Sequence, residues 1–118
     1  MTNVISKTVE LESRVWNRLY QRVKDIIPKY PTSLEQDLET LEKDKTEQLL
    51  TVNERNIIIL RVSEKRIINL NIELALFALD LLKLNRKEGI LALKKIPKNL
   101  ESATEILNYC VIAILPNN

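Results

Sequence analysis

The sequence contains no histidine, one cysteine and one glycine. Histidine is the commonest general base and metal ligand, so its absence argues against most acid–base and metal chemistry. One cysteine without histidine cannot supply the ligands of an ordinary zinc or iron–sulfur site. One glycine is too few for a phosphate-binding loop. We therefore expect no catalytic residues, no cofactor and no metal, and the sequence predicts a protein that is not an enzyme.

The scarcity of turn-forming residues indicates the fold class. A β-sandwich or an α/β fold needs many tight turns, which favour Gly or Asn at positive φ. This chain has one Gly and four Pro, and its apolar residues are nearly all aliphatic, with one Trp, three Tyr and one Phe. We expect a single all-α domain over residues 1–118, built as a compact bundle of about five helices around a long apolar central helix.

Two features predict a cytoplasmic protein without membrane contact. The apolar run at residues 67–84 carries Glu73, Asp80 and Lys83, which a membrane-spanning helix would rarely contain. The lone Cys110 lies in an apolar stretch and cannot form an internal disulfide, which fits a reducing compartment.

Apolar periodicity and capping signals predict where the first helices begin and end. Residues 8–27 show helical spacing, and Pro28 ends that helix. Capping boxes predict new helix starts after Thr32 or Ser33, and again after Thr51. The helix between these two starts has a thin apolar stripe, so we expect it to touch the core lightly and to show water a broad acidic face.

The second half of the chain continues the helical pattern. The helix that starts after Thr51 extends to residue 84. Residues 85–96 form a shorter basic helix, which Gly89 weakens. Pro97 breaks it, and the last helix covers residues 100–115.

Two segments, residues 67–84 and 106–115, are apolar nearly all round. One chain of this size encloses one such helix more easily than two, so the excess apolar surface predicts a protein interface and an oligomer. The alternative is that both helices lie at the centre of the bundle. The predicted interface residues are Ile68, Asn71, Leu74, Leu81, Ile106, Val111 and Ile114.

Two basic groups could contact phosphates. One recurs every four residues on the first helix, and the other lies in residues 83–98, where six cations accompany Glu88 alone. Each is otherwise a solvated face, and residues 83–98 could instead pair with the acidic second helix. The nucleic-acid contacts predicted under this hypothesis are Arg14, Arg18, Arg22, Lys94, Lys95 and Lys98.

Residues 53–70, NERNIIILRVSEKRIINL, resemble one element of the GINS family, the subunits of a replicative helicase assembly of archaea and eukaryotes. The comparable positions are Glu54, Arg55, Leu60, Lys65, Arg66 and Leu70. Residues 95–101, KIPKNLE, are similar to the turn that introduces the last helix of that family's helical domain. The resemblance covers residues 34–115, and the small β-rich second domain of the family has no counterpart here.

The resemblance implies a non-catalytic helical scaffold subunit of an archaeal-type DNA-replication complex. Its partners would be proteins, in a homo- or hetero-oligomer joined through the apolar helices, with nucleic acid secondary. The alternative function is a small nucleic-acid-binding accessory protein of viral or plasmid origin, which predicts binding that weakens steeply with salt.

Overall fold

Five helices make up the described chain. The computed structural model describes the backbone of residues 2–117 and the side chains of residues 8–117. The helices are α1 (Thr2–Ile26), α2 (Leu34–Glu47), α3 (Val52–Leu81), α4 (Arg86–Leu93) and α5 (Thr104–Tyr109). Short 3-10 turns occupy Ile27–Lys29 and Lys98–Ala103, and a π-helical turn, Cys110–Ile114, continues α5. The described residues contain no strand, which confirms the all-α class.

Side-chain caps fix the starts of three helices. Ser33 with Gln36 and Thr51 with Glu54 form the capping boxes of α2 and α3, and Asn85 with Glu88 forms that of α4. In each box the first side chain accepts a hydrogen bond from a backbone N–H that has no partner within the helix. The two boxes predicted at the starts of α2 and α3 are therefore present.

Helices α1 and α2 run antiparallel to α3, one after the other. Asp37 pairs with Lys65, whereas Asp44, further along α2, pairs with Arg55, which comes earlier in α3. Likewise Ile27, at the end of α1, borders the same cavity as Ile68. Asn17, earlier in α1, lies beside Leu79. Thus α2 covers the first half of α3, and α1 covers the second half.

The molecule is elongated rather than a compact bundle. It measures 64 × 27 × 16 Å and has a radius of gyration of 18.9 Å. A compact domain of this length would have a radius of gyration of about 13.5 Å. The reason is that α2 and residues 52–68 of α3 pack mainly on each other, and together they form a two-helix projection, called the arm below.

The core lies at the other end, between α1, the second half of α3 and the last helix. Its buried residues are Trp16, Ala75, Ala78, Leu81, Leu82, Leu107, Cys110, Val111, Ile114 and Leu115. Ala75 and Ala78 are fully buried, and such small side chains permit close helix packing. The long apolar central helix is not confirmed, because only the second half of α3 lies in the core. None of the described helices has the length and apolar character that crossing a membrane requires.

Candidate functional site

Alternating Leu and Asp side chains of α2 form its contact with α3. Leu34, Asp37, Leu41 and Asp44 follow each other at steps of three or four residues, so they share one face of α2. Both aspartates are only 4% exposed. The acidic helix therefore does more than show water a charged face, because two of its carboxylates are buried against α3.

The first aspartate belongs to a buried polar cluster at the bend between α1 and α2, called the junction cluster. The Lys65 ammonium donates hydrogen bonds to the carboxylate of Asp37 and to Thr32 Oγ1, the latter at 3.2 Å. Thr32 Oγ1 in turn donates to Asp37 Oδ1 at 2.6 Å. The ammonium also lies 5.1 Å from the ring centroid of Tyr30, a cation–π distance. Tyr30 donates its hydroxyl hydrogen to Glu64 Oε2 at 3.0 Å.

These contacts determine the protonation of two groups. Desolvation acts to raise the pKa of Asp37, but hydrogen bonds from Lys65 and Thr32 and the charge of Lys65 outweigh it and lower that pKa. Desolvation and the hydrogen bond to Glu64 both raise the pKa of Tyr30. The Asp37 carboxylate is thus held in its ionised form by hydrogen bonds from within the chain.

A cavity of about 160 Å³ adjoins the junction cluster and is lined by Tyr30, Thr32, Lys65 and Asn69 among others. The polar side chains of the cluster that face it are already bonded within the chain. Among the described residues, no group of three or more His, Cys, Asp or Glu side chains is placed to hold a metal ion. We assign the cluster a structural task, which is to hold the bend between α1 and α2 against α3.

The second buried aspartate fixes the tip of the arm. Asp44 accepts hydrogen bonds from the Arg55 guanidinium and from the backbone N–H of Leu50, the latter at 2.8 Å. The hydrogen bond from Arg55, followed by the one from Leu50, lowers the pKa of Asp44. Gln48, which ends α2, has a positive φ of 50°, and its N–H donates to the carbonyl of Asp44. These hydrogen bonds to Asp44 therefore fix the turn that connects α2 to α3.

The arm exposes an apolar face of α3. Ile57, Leu60 and Ile67 are 51%, 59% and 60% exposed, and their spacing places them on one side of the helix. The exposed Glu64 lies on the same side, between Leu60 and Ile67. The second half of α3 is covered by the turn Lys98–Ala103 and the last helix, and Asn99 donates a hydrogen bond to Glu73 there. Exposed apolar surface of this kind marks sites of interaction with other molecules.

A second exposed face lies on α1. Leu11, Val15 and Leu19 are 60%, 63% and 38% exposed. A shallow depression of about 610 Å³ is lined by Arg14, Val15, Arg18, Leu19 and Arg22. The six cations predicted to contact nucleic acid are all exposed, but they lie on separate elements. Arg14, Arg18 and Arg22 are on α1, and Lys94, Lys95 and Lys98 follow α4.

The predicted interface residues lie mostly inside the chain. Ile68, Leu81, Val111 and Ile114 are buried, and Asn71 and Leu74 are half-buried. Ile106 alone among them is exposed. The two helices that we expected to be too apolar for one chain cover each other, because the second half of α3 and the last helix pack together.

Exposed apolar side chains also lie on α1 and on the arm, as well as on α4 and the last helix, and sequence reasoning did not find the faces on α1 and the arm. The signal was present in the run from Ile57 to Leu60, whose four consecutive aliphatic residues cannot all face α2.

One comparison with known proteins gives a match. A family model described as Rubisco LSMT substrate-binding matches residues 2–68. That span is more than half of the chain, and it contains α1, the junction cluster and the whole arm. No curated protein and no solved structure matches the chain.

The match overturns the resemblance to GINS subunits. The predicted replication scaffold and the alternative of a nucleic-acid-binding accessory protein are wrong for the same reason. The residues that carried the resemblance have a local explanation. Arg55 and Lys65 form intrachain ion pairs with Asp44 and Asp37.

Proposed function

Because this chain belongs to the Rubisco LSMT substrate-binding family, we propose that it is a helical module that holds a protein substrate for a methyltransferase. Such a domain implies a capacity for protein interaction. Its task is to raise the local concentration of the substrate and to orient it, while the methyl transfer takes place elsewhere.

The observation that carries this proposal is the uncovered apolar face of the arm, which lies within the matched residues. Ile57, Leu60 and Ile67 are each about half exposed. Burying the remaining area of each side chain under a substrate protein would contribute about 1 kcal/mol per residue. The capping boxes and the two aspartate ion pairs support the binding role, because they hold α3 in a fixed position.

We further propose that the module itself performs no catalysis. Its two buried carboxylates, Asp37 and Asp44, are each held in an ion pair by a cation of α3, and their lowered pKa values make them poor bases. The sequence offers no histidine to replace them.

The test links binding to methylation. The full chain is used to capture proteins from its native host, and the same host is compared with and without the gene by quantitative mass spectrometry of methylated proteins. We expect captured proteins to be enriched among those whose methylation falls when the gene is deleted. The L60E/I67E variant should lose these proteins, because two carboxylates would then lie in the binding face.

The matched control is I90E/L91E, which adds the same two charges at exposed apolar positions of α4, outside the matched residues. It should capture the same proteins as the wild type, and circular dichroism should show equal helix content for all three chains. An unchanged set of methylated proteins after deletion, or equal capture by L60E/I67E, contradicts the proposal.

A further inference from the structure

The exposed face of α1 combines apolar and basic side chains in register. Leu11, Val15 and Leu19 recur every four residues, and so do Arg14, Arg18 and Arg22. A step of four residues turns the helix by about 40° and advances it by about 6 Å. The two rows therefore run side by side along α1. Arg14 and Arg18 lie nearly opposite the buried Trp16, whereas Leu19 is next to the buried Val23 on the helix surface. We call this surface, made of these six residues, the arginine face.

The charges of the arginine face are not balanced within the chain. Arg14 pairs with Glu10 at 2.7 Å, but Arg18 and Arg22 have no ion pair with any described carboxylate. Like charges four residues apart on a helix repel each other. Lys43, Lys45 and Lys83 each have an acidic partner three or four residues away. Other exposed cations, among them Lys94, Lys95 and Lys98, lack such a partner among the described residues, as Arg18 and Arg22 do.

We propose that the arginine face is a docking surface for an acidic amphipathic helix of a partner protein. Carboxylates of the partner would pair with Arg18 and Arg22, and its apolar side chains would cover Val15 and Leu19. A partner helix also places every fourth side chain on one face, with the same axial spacing as α1. Its carboxylates and apolar side chains can therefore meet the arginine row and the apolar row over several turns. The proposal goes beyond the proposed function, because this partner need not be a methylation substrate.

The apolar row decides between classes of partner. Nucleic acid offers phosphates to the arginines, but its backbone has no apolar groups to bury Val15 and Leu19. An anionic lipid surface offers both negative charges and apolar groups, but its charges have no fixed spacing. A helical protein segment alone supplies carboxylates and apolar groups at the four-residue repeat of α1.

Designed peptides provide the direct test. The probes are a set of synthetic helical peptides built from Leu and Glu. The peptides differ in where Leu and Glu stand in the seven-residue helical repeat, so that together they sample every relative arrangement of the two residue types. Each has a twin in which Lys replaces Glu, and binding to the full chain is measured by fluorescence anisotropy. We expect at least one acidic peptide to bind and its Lys twin not to bind.

Two variants test the two rows separately. R18E/R22E should weaken binding of the acidic peptide by about tenfold or more and should bind the Lys twin instead. V15S/L19S should weaken the acidic peptide by about tenfold without reversing the charge preference. The control is K94E/K95E, which makes the same change in net charge at two exposed lysines after α4 and should leave the affinity unchanged.

Three results overturn the proposal. The first is that no acidic peptide binds more tightly than its Lys twin. The second is that R18E/R22E binds the acidic peptide as well as K94E/K95E does. The third is that duplex DNA or vesicles of anionic phospholipid bind the wild-type chain more tightly than every acidic peptide. The proposed function is tested separately, by the capture of substrate proteins and its loss in L60E/I67E. Either proposal can therefore fail while the other holds.

Discussion

Asp37 and Lys65 form the most buried ion pair among the described residues, and they do so in a two-helix arm that has few apolar side chains to bury. Bringing two charges out of water is costly, and only their mutual attraction and hydrogen bonds offset the cost. Sliding α2 along α3 by one turn would separate the Asp37 carboxylate from the Lys65 ammonium and leave that buried ammonium without its partner. The pair therefore specifies the register of the arm more than it adds to stability.

Lys65→Met should lower the free energy of unfolding by about 3 kcal/mol, because it leaves a buried carboxylate without its cation. The double variant D37L/K65M removes both charges and should recover most of that loss. Urea unfolding followed by circular dichroism measures both. A loss below about 0.5 kcal/mol for Lys65→Met would show that water reaches the pair in solution.

Acid should destabilise the protein through the two buried aspartates. Both have a pKa below the ordinary value of 3.8 in the folded chain. Their stabilising contribution is therefore complete above about pH 4 and is lost as the pH falls through the lower folded pKa. Thermal unfolding at a series of pH values should show a steep fall below about pH 4. D37N/D44N should be less stable at neutral pH and show a shallower fall, and a fall as steep as that of the wild type would contradict this assignment.

At the scale of elements, α4 makes one very close approach to the end of the last helix. A Cβ added at Gly89 would lie 2.7 Å from Leu115 Cδ1 and 3.1 Å from both γ carbons of Val111. Leu115 is almost fully buried and the side chain of Val111 is branched, so neither moves away easily. Gly89, which the sequence predicts to weaken a helix, therefore allows α4 to pack closely on the end of the last helix.

Gly89→Ala should destabilise the chain by about 1 kcal/mol, although alanine favours helix formation. Overpacking costs about 1–3 kcal/mol, and the gain in helix propensity returns about 1 kcal/mol of it. Thermal unfolding of a double-mutant cycle with Leu115→Ala checks the reason. In the Leu115→Ala background the same substitution should become neutral or stabilising, whereas equal destabilisation in both backgrounds would point to another cause.

The elements were predictable because their signals are local. The boxes at Ser33 and Thr51 and the break at Pro28 involve neighbours in sequence, and each is where it was expected. The buried role of Asp37 and Asp44 was not predictable in this way. An aspartate on an acidic helix has the same local sequence whether it meets water or a lysine that is 28 residues away.

At the scale of the whole molecule, the arm and the core differ in how they are held. The core has contributions from α1, α3, α4 and the last helix, whereas the arm is mainly one pair of helices. The sequence predicts apolar periodicity but not which helix lies opposite which. For that reason, neither the elongated shape of the molecule nor the position of its exposed apolar faces could be predicted from the sequence.

Small-angle X-ray scattering of the chain should give a radius of gyration near the 18.9 Å of the structure. A value close to about 13.5 Å would mean that the arm folds back onto the core in solution. L60E/I67E is a useful control here. Its added charges should leave the radius unchanged if the apolar face of the arm is uncovered.

Because Cys110 lies in the core, modification of its thiol can be used to measure local unfolding of the core end of the molecule. Its thiol is buried in the core, and desolvation raises its pKa, so at neutral pH it is both sheltered and protonated. An alkylating reagent can therefore modify it only when the core end of the molecule comes apart. Amide exchange in α2 would report the arm at the same time, and the two rates together would tell whether one end can unravel while the other stays intact.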